Sequence, residues 1–224
     1  MTNKLKSTKK FDSGKRFQFI AKTSKGKMIL NDCTVAIIAG GRSKRFGSPK
    51  FKAKIGNKRL IELVLDLAYR ISTECMIISG LEEIREQFNL PVFDDVFPQC
   101  GPLAGIHSAL VHAKTEWIAI LPVDMPLLKE SIYLKLWTNR RDNVPVAART
   151  DRGLEPMVSL WHQSAIPTIQ NALENRKFKI HQMLETLHAV FVLFPLEENI
   201  HFFNVNYPND LQLIRSLVKG DKDE

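Results

Sequence analysis

Two hydrophobic periods alternate along this chain from residue 34 onward, and that alternation restricts the fold more than any other feature. TVAIIA at 34–39, CMIIS at 75–79 and EWIAIL at 116–121 are short apolar runs with the β-branched content of buried strands. Between the first two, the segment 59–71 sets Leu60, Ile61, Val64, Leu65, Leu67, Ala68 and Ile71 on one helical stripe. Helices are also expected at 82–88, 103–113 and 129–138, with an extended piece at 90–93 and a strand at 144–148. Apolar strands joined by helices are satisfied by a mostly parallel sheet covered on both faces through right-handed crossovers. The second half is less regular: strands at 157–161 and 189–194, helices at 166–174, 181–187 and 208–218, and a loop over 149–156. The expectation is therefore an α/β fold, a Rossmann-like three-layer arrangement, with ligands beyond the carboxyl ends of the strands.

Charge is spread unevenly. Residues 1–30 carry nine Lys and Arg against Asp12 alone, which accounts for the whole formal charge of +8, so the remainder is balanced. The segment 1–30 is expected to be a disordered basic extension; a polyanion contact is the alternative, and nucleic acid is not expected as a partner. No apolar stretch is long enough for a membrane span, and no secretory h-region stands in the first thirty residues. Cys33, Cys75 and Cys100 are odd in number and form no CxxC motif, which fits ordinary thiols in a reducing compartment. The expected location is the cytoplasm. The six histidines show neither HxxxH nor HExxH spacing, so none is a candidate metal ligand.

AGGRSKRFGSPK, 39–50, follows the first strand directly and holds three glycines and four basic residues. Bare amides and cations after a strand suit phosphate, while a solvated surface turn is the plain alternative. The spacing excludes a GxxxxGK[ST] loop, and the adjacent Gly40 and Gly41 exclude GxGxxG. The segment resembles the LAGGxSxRMGxxK loop of a nucleotidyltransferase superfamily, with Ile38 for Leu and Phe46 for Met. That resemblance implies that Arg45 and Lys50 face the phosphates of a nucleoside triphosphate, and that the backbone at Ile38, Ala39, Gly40 and Gly41 seats the nucleotide.

Three later segments extend the likeness. LPVDMPLL, 121–128, is similar to the family's PxDMPLL element, which implies Asp124 as the Mg2+ ligand; a turn or N-cap role is the simpler reading of such an Asp. GPLAGI, 101–106, matches the molybdenum cofactor guanylyltransferase branch, with Pro102 also suited to a helix start. The branch implies a nucleotide contact at Gly101 and at an upstream Asp, where Asp95 fits better than Asp94. The family places an Asn after the second strand; this chain has Ser79-Gly80, so Ser79 takes that position. FNVNYPNDL, 203–211, is similar to FxNxNTPxDL, with Tyr207 for Thr, and implies Asn204 and Asn206 in the substrate site. The bland alternative there is a helix start at Pro208. Arg149 and Arg152 are read as exposed loop charge.

The resemblance covers about 34–217 and implies a nucleotidyltransferase domain over 31–219, followed by a polar tail at 220–224. Its activity is then Mg2+-dependent transfer of GMP from GTP to the terminal phosphate of molybdenum-molybdopterin, with Arg45, Lys50 and Asp124 as catalytic residues. A related transferase using CTP or a sugar phosphate is one alternative. The other is a non-catalytic nucleotide-binding adaptor for molybdenum enzymes, which with cofactor-delivery proteins are the expected partners.

Overall fold

The computed structural model describes residues 20–22, 28–40, 46 and 49–220. In chain order the strands are β1 (Ile20–Lys22), β2 (Met28–Leu30), β3 (Cys33–Ile38), β4 (Lys54–Ile55), β5 (Lys58–Arg59) and β6 (Glu74–Ile78), then β7 (Val92–Phe93), β8 (Trp117–Pro122), β9 (Val146–Thr150), β10 (Gly153–His162) and β11 (Val190–Leu193). The helices are α1 (Leu60–Ile71), α2 (Glu82–Gln87), α3 (Pro102–His112), α4 (Glu130–Thr138), α5 (Ile166–Glu174), α6 (Ile180–Thr186) and α7 (Pro208–Gly220). Seven strands form one sheet in the order β11-β9-β10-β8-β3-β6-β7. β7, β6, β3 and β8 run parallel, β10 is antiparallel to both neighbours, and β11 is parallel to β9. The sheet is mostly parallel, with helices on both faces, as the sequence led us to expect.

The two faces are legible in β3. Cys33, Val35 and Ile37 enter the core shared with α1 and α4, whereas Ala36 and Ile38 enter the core shared with α3, α5 and α6. Trp117, Ala119 and Leu121 of β8 alternate with Ile118 and Ile120 in the same way. Because each strand is covered on both sides, its sequence is continuously apolar rather than alternating with polar residues. α1 buries the expected stripe and begins with a reciprocal cap. The Arg59 amide donates to Glu62 Oε2 at 2.6 Å and its guanidinium to Glu62 Oε1 at 2.9 Å, which holds the Glu62 carboxyl below its usual range. Cys33 and Cys75 are buried, and that burial pushes both thiols up to about 12, so they are chemically inert side chains of the core.

Three segments differ from expectation. Within 1–30, β1 and β2 pair as a small antiparallel ladder and Leu30 is fully buried on the α1 side, so folded structure reaches back past residue 31; residues 1–19 and 23–27 lie outside the described residues. The 149–156 loop is instead a hairpin: Arg149 pairs with Leu154, the turn falls at Asp151-Arg152, and Gly153 takes φ +131°. A bulge between Glu155 and Ser159 breaks the period of two, which hides the first half of β10 from pattern reading. At the other end α7 extends to Gly220, the first residue of the expected polar tail, and 221–224 lie outside the described residues. Among the described residues no helix is long and apolar enough to cross a membrane.

His107 on α3 gives a stability prediction. It is 2 % exposed, neither ring nitrogen has a hydrogen-bond partner among the described residues, and its ring meets Phe97 edge-on at 5.1 Å. Burial holds the imidazole below its ordinary value, with Glu174 pulling weakly the other way. Above about pH 6.5 folded and unfolded chains are both neutral at this site, so nothing is lost there. As pH falls below that value the unfolded chain takes up the proton first, and stability declines. His107→Phe is expected to flatten the fall in urea midpoint between pH 7.5 and 5, leaving a smaller slope from His162, which burial shifts in the same direction.

Candidate active site

The parallel strands end together, and backbone hydrogen bonds fix their ends. The Ala39 amide donates to the Ile78 carbonyl at 3.0 Å, the Val123 amide to Ile38 at 3.2 Å, and the Ser79 amide to Phe93 at 2.9 Å. Ser79 is buried, its hydroxyl donating to the Ala39 carbonyl and accepting from the Leu81 amide, so the side chain braces the strand ends. Gly41 and Arg45 lie outside the described residues. Phe46, which stands where the family loop has Met, is buried with Leu60, Val205, Leu211 and Ile214 in a small third core.

Past Pro49, Lys50 opens a short 3-10 turn and Asp124 follows the end of β8. Lys50 Nζ donates to Asp124 Oδ2 and to Asn206 Oδ1, each at 3.0 Å, so residues 74 and 156 positions from the lysine meet on one ammonium. The lysine and aspartate side chains are 16 % and 24 % exposed, within reach of solvent but partly shielded from it. Both acceptors are anchored from behind. The Val205 amide donates to the Asp124 carbonyl at 2.8 Å, and Asp210 Oδ2 accepts from the Asn206 and Tyr207 amides at 2.7 Å each. Asp210 was not singled out from the sequence. An Asp just inside a Pro-initiated helix is a cap signal, and it would have pointed to this brace. Asn204 lies in the same connecting segment, its Oδ1 buried and without a partner among the described residues.

Asp94 and Asp95, consecutive in an extended segment, part company. Asp94 Oδ1 accepts from Arg85 Nη2 at 3.0 Å on the exposed side. Asp95 turns inward: a Cβ on Gly105 would stand 3.7 Å from Asp95 Oδ1, and one on Gly40 would stand 4.0 Å from Asp95 Oδ2. Asp95 Oδ1 is buried with no donor among the described residues, and burial, then the neighbouring Asp94 charge, raises the carboxyl above its usual range. A shielded acceptor without a donor is costly in the free protein and rewards a ligand N–H that reaches it. Gly101 caps α3 with φ +76°, a conformation that disfavours any side chain there, and Pro102 opens the helix.

The tight approach of α3 to β3 gives a second stability prediction. A Cβ on Gly105 would lie 3.2 Å from Ile38 Cγ2. Removing a helical glycine contributes about 1 kcal/mol, while overpacking a core costs about 1–3 kcal/mol. Gly105→Ala is thus expected to lose up to about 2 kcal/mol in urea unfolding, the core contact outweighing helix propensity.

Among the described residues no three His, Cys, Asp or Glu side chains converge as a metal cage. Asp124 and Asn206 nevertheless direct two oxygens at one cation, the Lys50 ammonium. That donor set fits Mg2+, which takes one or two protein oxygens and keeps the rest of its shell for water and phosphate. A separate groove, lined by Asp32, Lys114, Thr115, Glu116 and Trp117, lies at the opposite, amino ends of β3 and β8 and contains none of the motif residues.

By its family model and its relatives the chain is a nucleotidyltransferase, an enzyme class with which this fold and this edge agree. The solved molybdopterin-guanine dinucleotide biosynthesis protein A of Archaeoglobus fulgidus is similar to it with a TM-score of 0.73 and 26% identity, over 84% of this chain and 99% of that one. The CMP:2-keto-3-deoxy-manno-octonic acid synthetase complexed with CTP shares the fold alone, with a TM-score of 0.69 and 11% identity over 84% of this chain and 99% of that one. The chain belongs to the family of the MobA-like NTP transferase domain, whose model matches residues 35–190. The probable molybdenum cofactor guanylyltransferase of Carboxydothermus hydrogenoformans is 34% identical over 194 residues, 84% of this chain and 98% of its own length. That of Halalkalibacterium halodurans is 31% identical over 185 residues, 78% of this chain and 93% of its own.

Proposed function

We propose that this enzyme transfers GMP from GTP to the terminal phosphate of molybdenum-molybdopterin, releasing pyrophosphate and forming molybdopterin guanine dinucleotide. The observation that carries the proposal is the meeting of Lys50, Asp124 and Asn206 at the carboxyl edge of the sheet, on which Asp95 also borders through Gly40. An oxygen of the acceptor phosphate forms a bond to the α-phosphorus, and the bond to the bridging oxygen breaks, its electron pair leaving with pyrophosphate. The attacking group is already an anion, so no general base is needed; positioning and charge neutralisation supply the catalysis.

In this reading Asp124, with Asn206, is the seat of Mg2+, which neutralises triphosphate charge when bound. Arg45 and Lys50 stabilise the leaving pyrophosphate, and the backbone at Ile38, Ala39, Gly40 and Gly41 seats the nucleotide, with Ser79 bracing it from below. Asn204 presents its shielded amide oxygen to the substrates. Asp95 and the Gly101 turn receive the base: guanine offers N1–H and N2–H donors side by side, which a carboxylate accepts together.

The test is a nucleotide panel. ATP, GTP, CTP and UTP are each supplied with Mg2+ and molybdenum-molybdopterin, and pyrophosphate release is followed. Release with GTP alone is expected. Preference for CTP would move the activity to cytidylyl transfer, and binding of nucleotide without release would favour the adaptor.

A further inference from the structure

We propose that Lys50 is an internal counter-ion that guards the metal seat, so that a divalent cation is admitted only when a triphosphate draws the ammonium away. The inference rests on the reading of Asp124 as that seat. Lys50 Nζ bonds the same two oxygens, Asp124 Oδ2 and Asn206 Oδ1, that a hard cation would use. The backbones that carry those oxygens are anchored, that of Asp124 by the Val205 amide and that of Asn206 by the Asp210 carboxylate. The lysine backbone is preset as well: the Lys52 amide donates to Pro49 at 3.1 Å and the Ala53 amide to Lys50 at 3.0 Å. What remains adjustable is the four-carbon stem and its compact charge.

A divalent ion entering alone has to displace this ammonium and leave it partly shielded from water, beside a double positive charge. A triphosphate changes the balance by offering the ammonium another anion, after which the two oxygens accept the incoming cation without an unpaired charge. Nucleotide and metal affinities are then positively coupled, and linkage makes the coupling reciprocal. Wild-type protein without nucleotide should bind free metal poorly, although its donor oxygens are in place.

Binding of Mn2+ is measured by electron paramagnetic resonance with and without GTP, for wild type, Lys50→Met, Lys50→Gln, Lys50→Arg, Asp124→Asn and the double variant Lys50→Met/Asp124→Asn, with thermal melts verifying folding. Both neutral variants are expected to bind free Mn2+ at least about tenfold more tightly than wild type and to lose most of the enhancement by GTP. Lys50→Arg keeps the exclusion, and the double variant loses the gain. If folded Lys50→Met and Lys50→Gln bind free Mn2+ no better than wild type while Asp124→Asn abolishes the GTP-dependent site, the guarding role is overturned and the metal seat stands. If Asp124→Asn leaves Mn2+ binding intact with GTP present, the seat itself is misplaced and both readings fall.

Discussion

Asp124→Asn and Asp124→Ala are each expected to lower pyrophosphate release from GTP by about 10³-fold, with unfolding free energy changed by less than about 1 kcal/mol. The two effects separate because the residue holds the fold through its backbone and the substrate through its side chain. Its carbonyl bond to the Val205 amide survives either substitution, and Phe203, Val205, Leu211 and Ile214 remain packed in the third core. What is lost is the carboxylate that faces Lys50. Asn preserves the size of the side chain, so a purely structural Asp124 would leave Asp124→Asn active. Steady-state kinetics alongside urea unfolding distinguishes the cases.

For Asp95→Asn we expect discrimination between GTP and ATP, measured as the ratio of kcat/KM values, to fall by about 10²-fold. An amide supplies one acceptor and one donor where the bound guanine edge supplies two donors, so one N–H is left facing N–H. The same variant is expected to be more stable than wild type at neutral pH. In the free protein Asp95 Oδ1 is buried without a donor among the described residues, and ionisation is disfavoured first by that burial and then by Asp94. The sign follows from linkage. Below the ordinary value of 3.8 folded and unfolded chains are both protonated and the cost is absent; it grows as pH rises from there toward the raised folded value and is fully present above it. The thermal advantage of Asp95→Asn should therefore be largest near neutrality and shrink toward pH 4. A residue that lowers stability while raising discrimination is shaped for its ligand.

The sheet was legible where the physics is local. β3, β6 and β8 are covered on both faces, so their apolar runs are continuous, and α1 displays a full stripe. The β9–β10 hairpin was not legible because Glu155 and Pro156 interrupt its pattern at a bulge. In the site, the loop and the three later motifs announced themselves by resemblance, but their convergence did not. No spacing rule brings Lys50 to a carboxylate 74 residues away and an amide 156 residues away. The resemblance favours Asp95 over Asp94 by spacing, and the physical reason is visible in three dimensions, where Arg85 claims the first and the α3 approach encloses the second. Asp210 was missed because its work is second-hand, fixing the amides that aim Asn206.

A crystal of the protein grown with a slowly reacting GTP analogue and Mn2+, with anomalous diffraction recorded for the metal, would locate triphosphate and cation relative to Lys50 and Asp124. The expected result is an anomalous peak within coordination distance of Asp124, the triphosphate over the carboxyl ends of β3 and β8, Lys50 moved onto phosphate, and the guanine edge on Asp95. Nucleotide bound elsewhere, for instance in the groove beside Asp32 and Lys114, with Lys50 still paired to Asp124, would contradict it.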